Sequence, residues 1–238
     1  MKYSNLSVWS TVLCAASASV SVSASETASE TVVHSDYTVW CSGNCNHDKH
    51  TESSPGAVLM GGGTDTNEAF AWQISNANGG DFVVMRASGD DAYNEYIYDM
   101  SIATNTRLNS VRTILFNNAK ASAEPEVLDI INNAEAIFFA GMLTHSLTHL
   151  LTHARTCSSI NAKKLDPYTH FCVYHVGGDQ NQYMTYWADT EVQSIIQGKL
   201  GNITLGGTSA GLAVLGQWVY TAEDGTVYSD EAMEVSET

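Results

Sequence analysis

Positive charge is scarce in this chain: 10 lysines and arginines face 26 aspartates and glutamates across 238 residues, a formal charge of −16. Nucleic acids and anionic membrane surfaces are held by positive charge, so this balance disfavours both as partners. Long apolar runs are missing too. Nothing after the first two dozen residues approaches the roughly 20 apolar residues of a membrane span, so the mature protein is expected to be soluble, with no stable membrane association. The turn Gly61-Gly62-Gly63-Thr64-Asp65-Thr66 lacks the third glycine of a dinucleotide fingerprint, since Thr66 fills its place, and no cofactor is expected.

At 44% hydrophobic residues the chain is not a disordered one, and its length suits one α/β domain with a sizeable core. Lys2 precedes a weakly polar run from Leu6 to Val22 that closes in Val22-Ser23-Ala24. This is the pattern of a secretory signal peptide over residues 1–24, and it implies an extracellular mature protein. A polar N-terminal segment, 25–56, follows, and the folded domain is expected over 57–238. Of the five cysteines, Cys41 and Cys45 frame a Cys-Ser-Gly-Asn-Cys loop. In an oxidising compartment these two could pair. With His47 and His50 they also have a spacing that zinc could use, although the Asn, Ser and Asp around them favour a surface turn.

Apolar runs then alternate with helix-like segments. Ala57 to Met60 reads as a buried strand ending in Gly61-Gly62-Gly63. Thr64, Asp65 and Thr66 are candidate caps for a helix whose apolar face carries Phe70 and Ile74. Phe82 to Met85 is the next strand, with a tyrosine-rich helix from Ala92 to Asp99. Val111 to Phe116 is another, and Pro125 suits the start of the helix that precedes the strand Ala136 to Ala140. Strands apolar on both faces, alternating with helices, indicate a mostly parallel sheet covered on both sides, with ligands at the carboxyl ends of the strands. Gly61 to Gly63, Ser88 to Asp91, Gly178-Asp179-Gln180 and Ser209 all fall at such ends.

The stretch Ile203-Thr204-Leu205-Gly206-Gly207-Thr208-Ser209-Ala210-Gly211 reads as a nucleophile elbow. A serine hydroxyl attacks well only when it is held out of regular structure, and a strand-to-helix turn flanked by glycines does that. The helix that follows turns free backbone N–H groups toward the same spot, so Ala210 N–H can bind the oxyanion formed when Ser209 attacks a carbonyl.

Together with Arg86-Ala87-Ser88-Gly89 and Gly177-Gly178-Asp179-Gln180, these motifs resemble the cyanophycinase-like serine peptidases, relatives of aspartyl dipeptidase. The resemblance runs from about Ala57 to Met233. It implies a class I glutamine-amidotransferase-like fold, a flavodoxin-like three-layer sandwich around a mostly parallel sheet. It also implies a Ser-His-acid hydrolase of peptide or isopeptide bonds, with Ser209 as nucleophile. The N–H groups of Gly178 and Ala210 would form the oxyanion hole, Asp179 and Gln180 would contact substrate, and no metal would be involved.

The chain departs from that family in two places. Removing Met142 to Gly177 restores Phe-Phe-Ala-Gly running directly into Gly-Asp-Gln. The removed segment holds five of the eight histidines and the repeat Thr144-His145, Thr148-His149, Thr152-His153, which resembles translated simple-sequence DNA. Codons for Gly141-Met142 and Val176-Gly177 can supply GT and AG ends in phase, so the segment reads as a retained intron that should lie looped off the domain. A genuine insertion is the alternative, and so is a metal site, since His145, His149 and His153 would share one helical face. The second departure is at the end of the chain. No histidine follows Ser209, whereas the family's base comes later in an Asp-x-His-Phe motif. The chain therefore reads as truncated, a very poor hydrolase by itself, and a catalytically inactive binding protein is the rival reading. An α/β-hydrolase esterase also uses Gly-x-Ser-x-Gly, but its His-Gly-Gly oxyanion motif is absent.

Overall fold

The computed structural model of the protein describes residues 29–141 and 180–223. The leader 1–24, the segment 142–177, and Gly178 and Asp179 lie outside the described residues.

Seven strands form one sheet: β1 (Ser29–Val33), β2 (Tyr37–Gly43), β3 (Gly56–Met60), β4 (Asp81–Arg86), β5 (Ser110–Phe116), β6 (Ala136–Phe139) and β7 (Thr204–Thr208). Their order across the sheet is β1-β2-β5-β4-β6-β7-β3. β4, β5, β6, β7 and β3 pair in parallel, and β2 and β1 join antiparallel at one edge. Taken in chain order, β4 to β7 stand 2-1-3-4 across the sheet, the flavodoxin-like order. The central strands are parallel because neither face can meet water: all of Asp81–Arg86 and all of Ala136–Phe139 are buried.

Helices cover both faces. α1 (Asn67–Asn76) and α2 (Ala92–Ala103) lie on one side, with Phe70, Ile74, Tyr93 and Ile97 packed on Phe82, Val84, Val111 and Phe138. On the other side are α3 (Pro125–Asn132), α4 (Gln180–Trp187) and α5 (Glu191–Lys199). They bring Val127, Ile131, Tyr183, Trp187 and Val192 onto Val83, Met85, Ile114, Ile137, Phe139 and Leu205. Aromatic rings tie the layers: Phe70 to Phe138 at 4.7 Å between centroids, and Phe116 to Trp187 at 5.5 Å. Burying each such ring contributes roughly 1.5–3 kcal/mol. β3 is the far edge. Leu59 there is 61% exposed, so among the described residues one face of that strand has no cover.

The polar stretch 25–56 contributes more than its polarity implies, since it supplies β1 and β2. β2 is buried along its length except at Trp40 and Gly43, with the polar Thr38 and Ser42 buried beside Tyr37, Val39 and Cys41, and its strand character comes from pairing along all of β5. β1 is almost wholly exposed and pairs only with β2. Cys41 and Cys45 are joined in a disulfide, which removes both sulfurs from any zinc set with His47 and His50. The expected capping at Thr64 to Thr66 also differs. Thr66 occupies the N-cap of α1 but makes no side-chain cap bond, and the Asp65 carboxylate is engaged elsewhere.

Candidate active site

Ser209 stands between β7 and the short helix α6 (Ala210–Ala213), with φ 54° and ψ −124°. A non-glycine residue in such a region costs about 1–3 kcal/mol and persists only where its surroundings impose it. Here they do. Ser209 N–H donates to the carbonyl of Met60 at 3.3 Å, continuing the β3–β7 ladder, while its own carbonyl already accepts from Leu212 and Ala213, both at 3.1 Å. The chain must therefore pass from strand to helix within one residue.

Three glycines make room for that turn. A Cβ on Gly207 would strike the backbone of Gly211, and a Cβ on Gly211 would strike the carbonyl of Phe139. A Cβ on Gly141 would lie 2.7 Å from Ser209 Cβ and 3.3 Å from its Oγ. The side chain of Ser209 thus projects from the carboxyl end of β7 against the chain leaving β6, half-buried and off the helix. The N–H of Ala210 belongs to the first turn of α6, where no intrahelical acceptor exists.

The neighbouring carboxyl ends carry a network with no counterpart in the sequence reading. The guanidinium of Arg86, fully buried, donates to the carbonyls of Ser88 at 3.0 Å, Asp90 at 2.8 Å and Gly141 at 3.4 Å. It also lies 5.6 Å from the centre of the Tyr93 ring. Tyr93 donates its hydroxyl to Asp65 Oδ2 at 2.6 Å, and burial, then that bond, raises its pKa well above that of an ordinary phenol. Tyr183 donates to the carbonyl of Ala140 at 2.5 Å. The two carbonyls leading out of β6 are therefore held from different sides, Ala140 by Tyr183 and Gly141 by Arg86. α2, which follows β4, packs on one face of the sheet, whereas α4, the next described helix after β6, packs on the other. The carboxyl ends of β4 and β6 thus flank the kind of crevice where open α/β sheets bind ligands. Arg86 bridges it. The Arg86-Ala87-Ser88-Gly89 motif was the one signal available, but it does not reveal that the arginine is buried.

Of the other candidate residues, Gln180 opens α4 and its side-chain amide donates to the carbonyl of Tyr220. Gly178 and Asp179 lie outside the described residues. Three histidines fall within them, none beside Ser209. His34 is on the β1–β2 turn, at the same end of the sheet, but β2 is four strands from β7, about 19 Å at the usual strand spacing. His47 and His50 lie at the opposite end, where His50 Nδ1 is 3.5 Å from Glu135.

No protein-family model and no curated protein sequence matches the chain. Among solved structures it is similar to a peptidase from an acI-B1 Actinobacterium, at 15% identity and a TM-score of 0.44. That match covers 71% of this chain and 59% of the peptidase.

Proposed function

We propose that this chain is a serine-type peptidase, cleaving peptide or isopeptide bonds through an acyl-enzyme on Ser209. The observation that carries this reading is the strained backbone of Ser209 at the carboxyl end of a parallel strand, imposed by its hydrogen bonds to Met60, Leu212 and Ala213 and accommodated by the close approach of Gly141, Gly207 and Gly211. Strain of this kind collects at functional sites, and a plain connection would relax it with glycine at the turn itself. In the reaction, Ser209 Oγ attacks the carbonyl carbon as its proton passes to a base. The tetrahedral oxyanion is held by the N–H groups of Ala210 and Gly178, and the amine departs with a proton as the ester forms. Water then hydrolyses the ester and frees the serine. Asp179 and Gln180 are the proposed substrate contacts, and no cofactor or metal takes part.

A second reading rests on a specific observation: no histidine among the described residues stands beside Ser209 to act as base. A protein with this turn and no base binds peptide without turning it over. The resemblance to cyanophycinase-like peptidases supports the enzyme reading. The paired Cys41 and Cys45 support an extracellular location, since disulfides persist in oxidising compartments. The discriminating experiment measures hydrolysis of aspartyl peptides and of an activated ester by the chain and by Ser209→Ala, alongside binding of the same peptides. Serine-dependent turnover establishes the enzyme. Binding without turnover establishes the second reading, and neither activity overturns both.

A further inference from the structure

Between β1 and β2 the chain brings together three groups that the Ser209 site does not use. His34 and Asp36 lie on the turn, Glu124 immediately precedes α3, and one donor atom from each lies within 4.8 Å of the other two. The turn is fixed from several sides. His34 N–H donates to the carbonyl of Tyr37 at 2.9 Å, and Asn117 N–H donates to the carbonyl of Asp36 at 2.9 Å. The side-chain amide of Asn117 reaches the carbonyls of His34 and Ser35 at 3.5 and 3.4 Å. The amide of Asn118 holds Asp36 Oδ1 at 2.9 Å, leaving Oδ2 turned toward the imidazole, 3.9 Å from Nδ1. An outer hydrogen bond that orients a carboxylate in this way is the usual support of a metal ligand. Glu126, the next acid nearby, is occupied by the Tyr37 hydroxyl at 2.6 Å. Among the described residues no lysine or arginine forms an ion pair with Asp36 or Glu124. Two carboxylates therefore face one imidazole with no positive partner.

We propose that His34, Asp36 and Glu124 form a zinc-type divalent cation site that fastens the β1–β2 ribbon to the start of α3. The donor set argues for the class of ion, because an imidazole beside two carboxylates suits zinc and its neighbours better than magnesium or calcium, which take oxygen. Ligand atoms about 2.1 Å from a shared ion stand about 3.4 Å apart in a tetrahedron. Rotation of His34, the most exposed of the three with 42% of its side chain accessible, closes the remaining gap. Ligation through Nδ1 exchanges the long bond that this atom accepts from Asp36 N–H, 3.3 Å, for the metal. The fourth position is open to water. Some four strands from β7, the site is a structural clasp that adds to the strand pairing and to the Tyr37–Glu126 and Asn118–Asp36 bonds already holding this edge ribbon, and it does not depend on the peptidase reading.

The test titrates zinc chloride into the full chain and into H34Q/E124Q, following stoichiometry by calorimetry and the thermal midpoint by circular dichroism. His145, His149 and His153 are present in both proteins, so any zinc they take cancels in the difference. The variant is expected to bind one equivalent fewer, and zinc is expected to raise its thermal midpoint less. D36N, which keeps the main-chain bonds of the turn, is expected to lose the same equivalent while retaining its fold. Magnesium chloride at the same concentration is expected to give no binding that the variants remove. Equal zinc stoichiometry and equal thermal shifts in the three proteins would overturn the site. A magnesium response that matches zinc and is lost in H34Q/E124Q would overturn the assignment to zinc-type ions.

Discussion

At the amino end of the parallel strands the two buried carboxylates are fully engaged, whereas at the carboxyl end polar atoms are buried without partners and the backbone is strained. Asp81 accepts from Asn109 at 2.7 Å, Ser110 at 2.6 Å and Lys49 N–H at 2.7 Å, and Glu135 accepts from Asp81 N–H at 2.7 Å. At the other end, among the described residues, Asp65 Oδ1 and Ser88 Oγ are buried with no hydrogen-bond partner, and Ser209 holds a positive φ. An unmade bond to a buried polar group costs about 1–3 kcal/mol, so Asp65 Oδ1 and Ser88 Oγ each sacrifice stability beside the strained Ser209, whereas Asp81 keeps its bonds. Such an asymmetry is expected where one end of a sheet is built to hold the fold and the other to receive a ligand.

The contrast can be broken by substitution. The largest effect is expected from Gly211→Ala, whose Cβ would strike the carbonyl of Phe139. Backbone cannot move aside as a flexible side chain does, so the cost should be about 3 kcal/mol or more in urea denaturation. A cost near zero would mean that the turn is loose and Ser209 is not held by its neighbours. At the amino end, Asp81→Ala leaves three donors unsatisfied and should cost about 2–3 kcal/mol by the same measurement. A small effect there would remove the distinction between the two ends.

Ser209→Gly should act in the opposite direction. Glycine adopts a positive φ without strain, and relief of that strain exceeds its added unfolded-state entropy, so a gain of about 1 kcal/mol is expected with loss of any serine-dependent activity. Destabilisation would show that the strain is not stored at Ser209. The smallest effect concerns pH. Burial, and after it the neighbouring Asp81, raises the Glu135 carboxyl above its ordinary 4.5, against the hydrogen bonds and His50 that lower it. A raised folded value means that the folded state binds the proton more tightly, so this stabilising contribution is complete below 4.5 and is lost as pH rises through the raised value. The chain should therefore lose stability relative to Glu135→Gln between pH 4.5 and 7, and a constant difference would place the carboxyl at no disadvantage when ionised.

Much of the central sheet was legible because strands buried on both faces must be apolar throughout. Phe82 to Met85, Val111 to Phe116 and Ala136 to Ala140 match β4, β5 and β6 to within a residue or so. β1 and β2 were not legible, since Ser29 to Val33 is polar and exposed and owes its conformation to a partner strand. α4 and α5 escaped as well. Their first-turn and surface residues are largely polar, and only Tyr183, Trp187 and Val192 reach the core. Asp65 was misread as part of a cap because its true partner, Tyr93, is 28 residues away.

By itself the sequence determined where strands had to be buried and where glycine had to stand, because apolar runs and the absence of a Cβ are local properties written residue by residue. Gly207 and Gly211 around Ser209 belong to that class. Only the tertiary structure decided that Gly141 presses on Ser209, that Arg86 is buried across the crevice, and that His34, Asp36 and Glu124 meet. Each of these rests on a contact between residues far apart in the chain, formed by the order in which the strands pair, and no local pattern of residue types records that order.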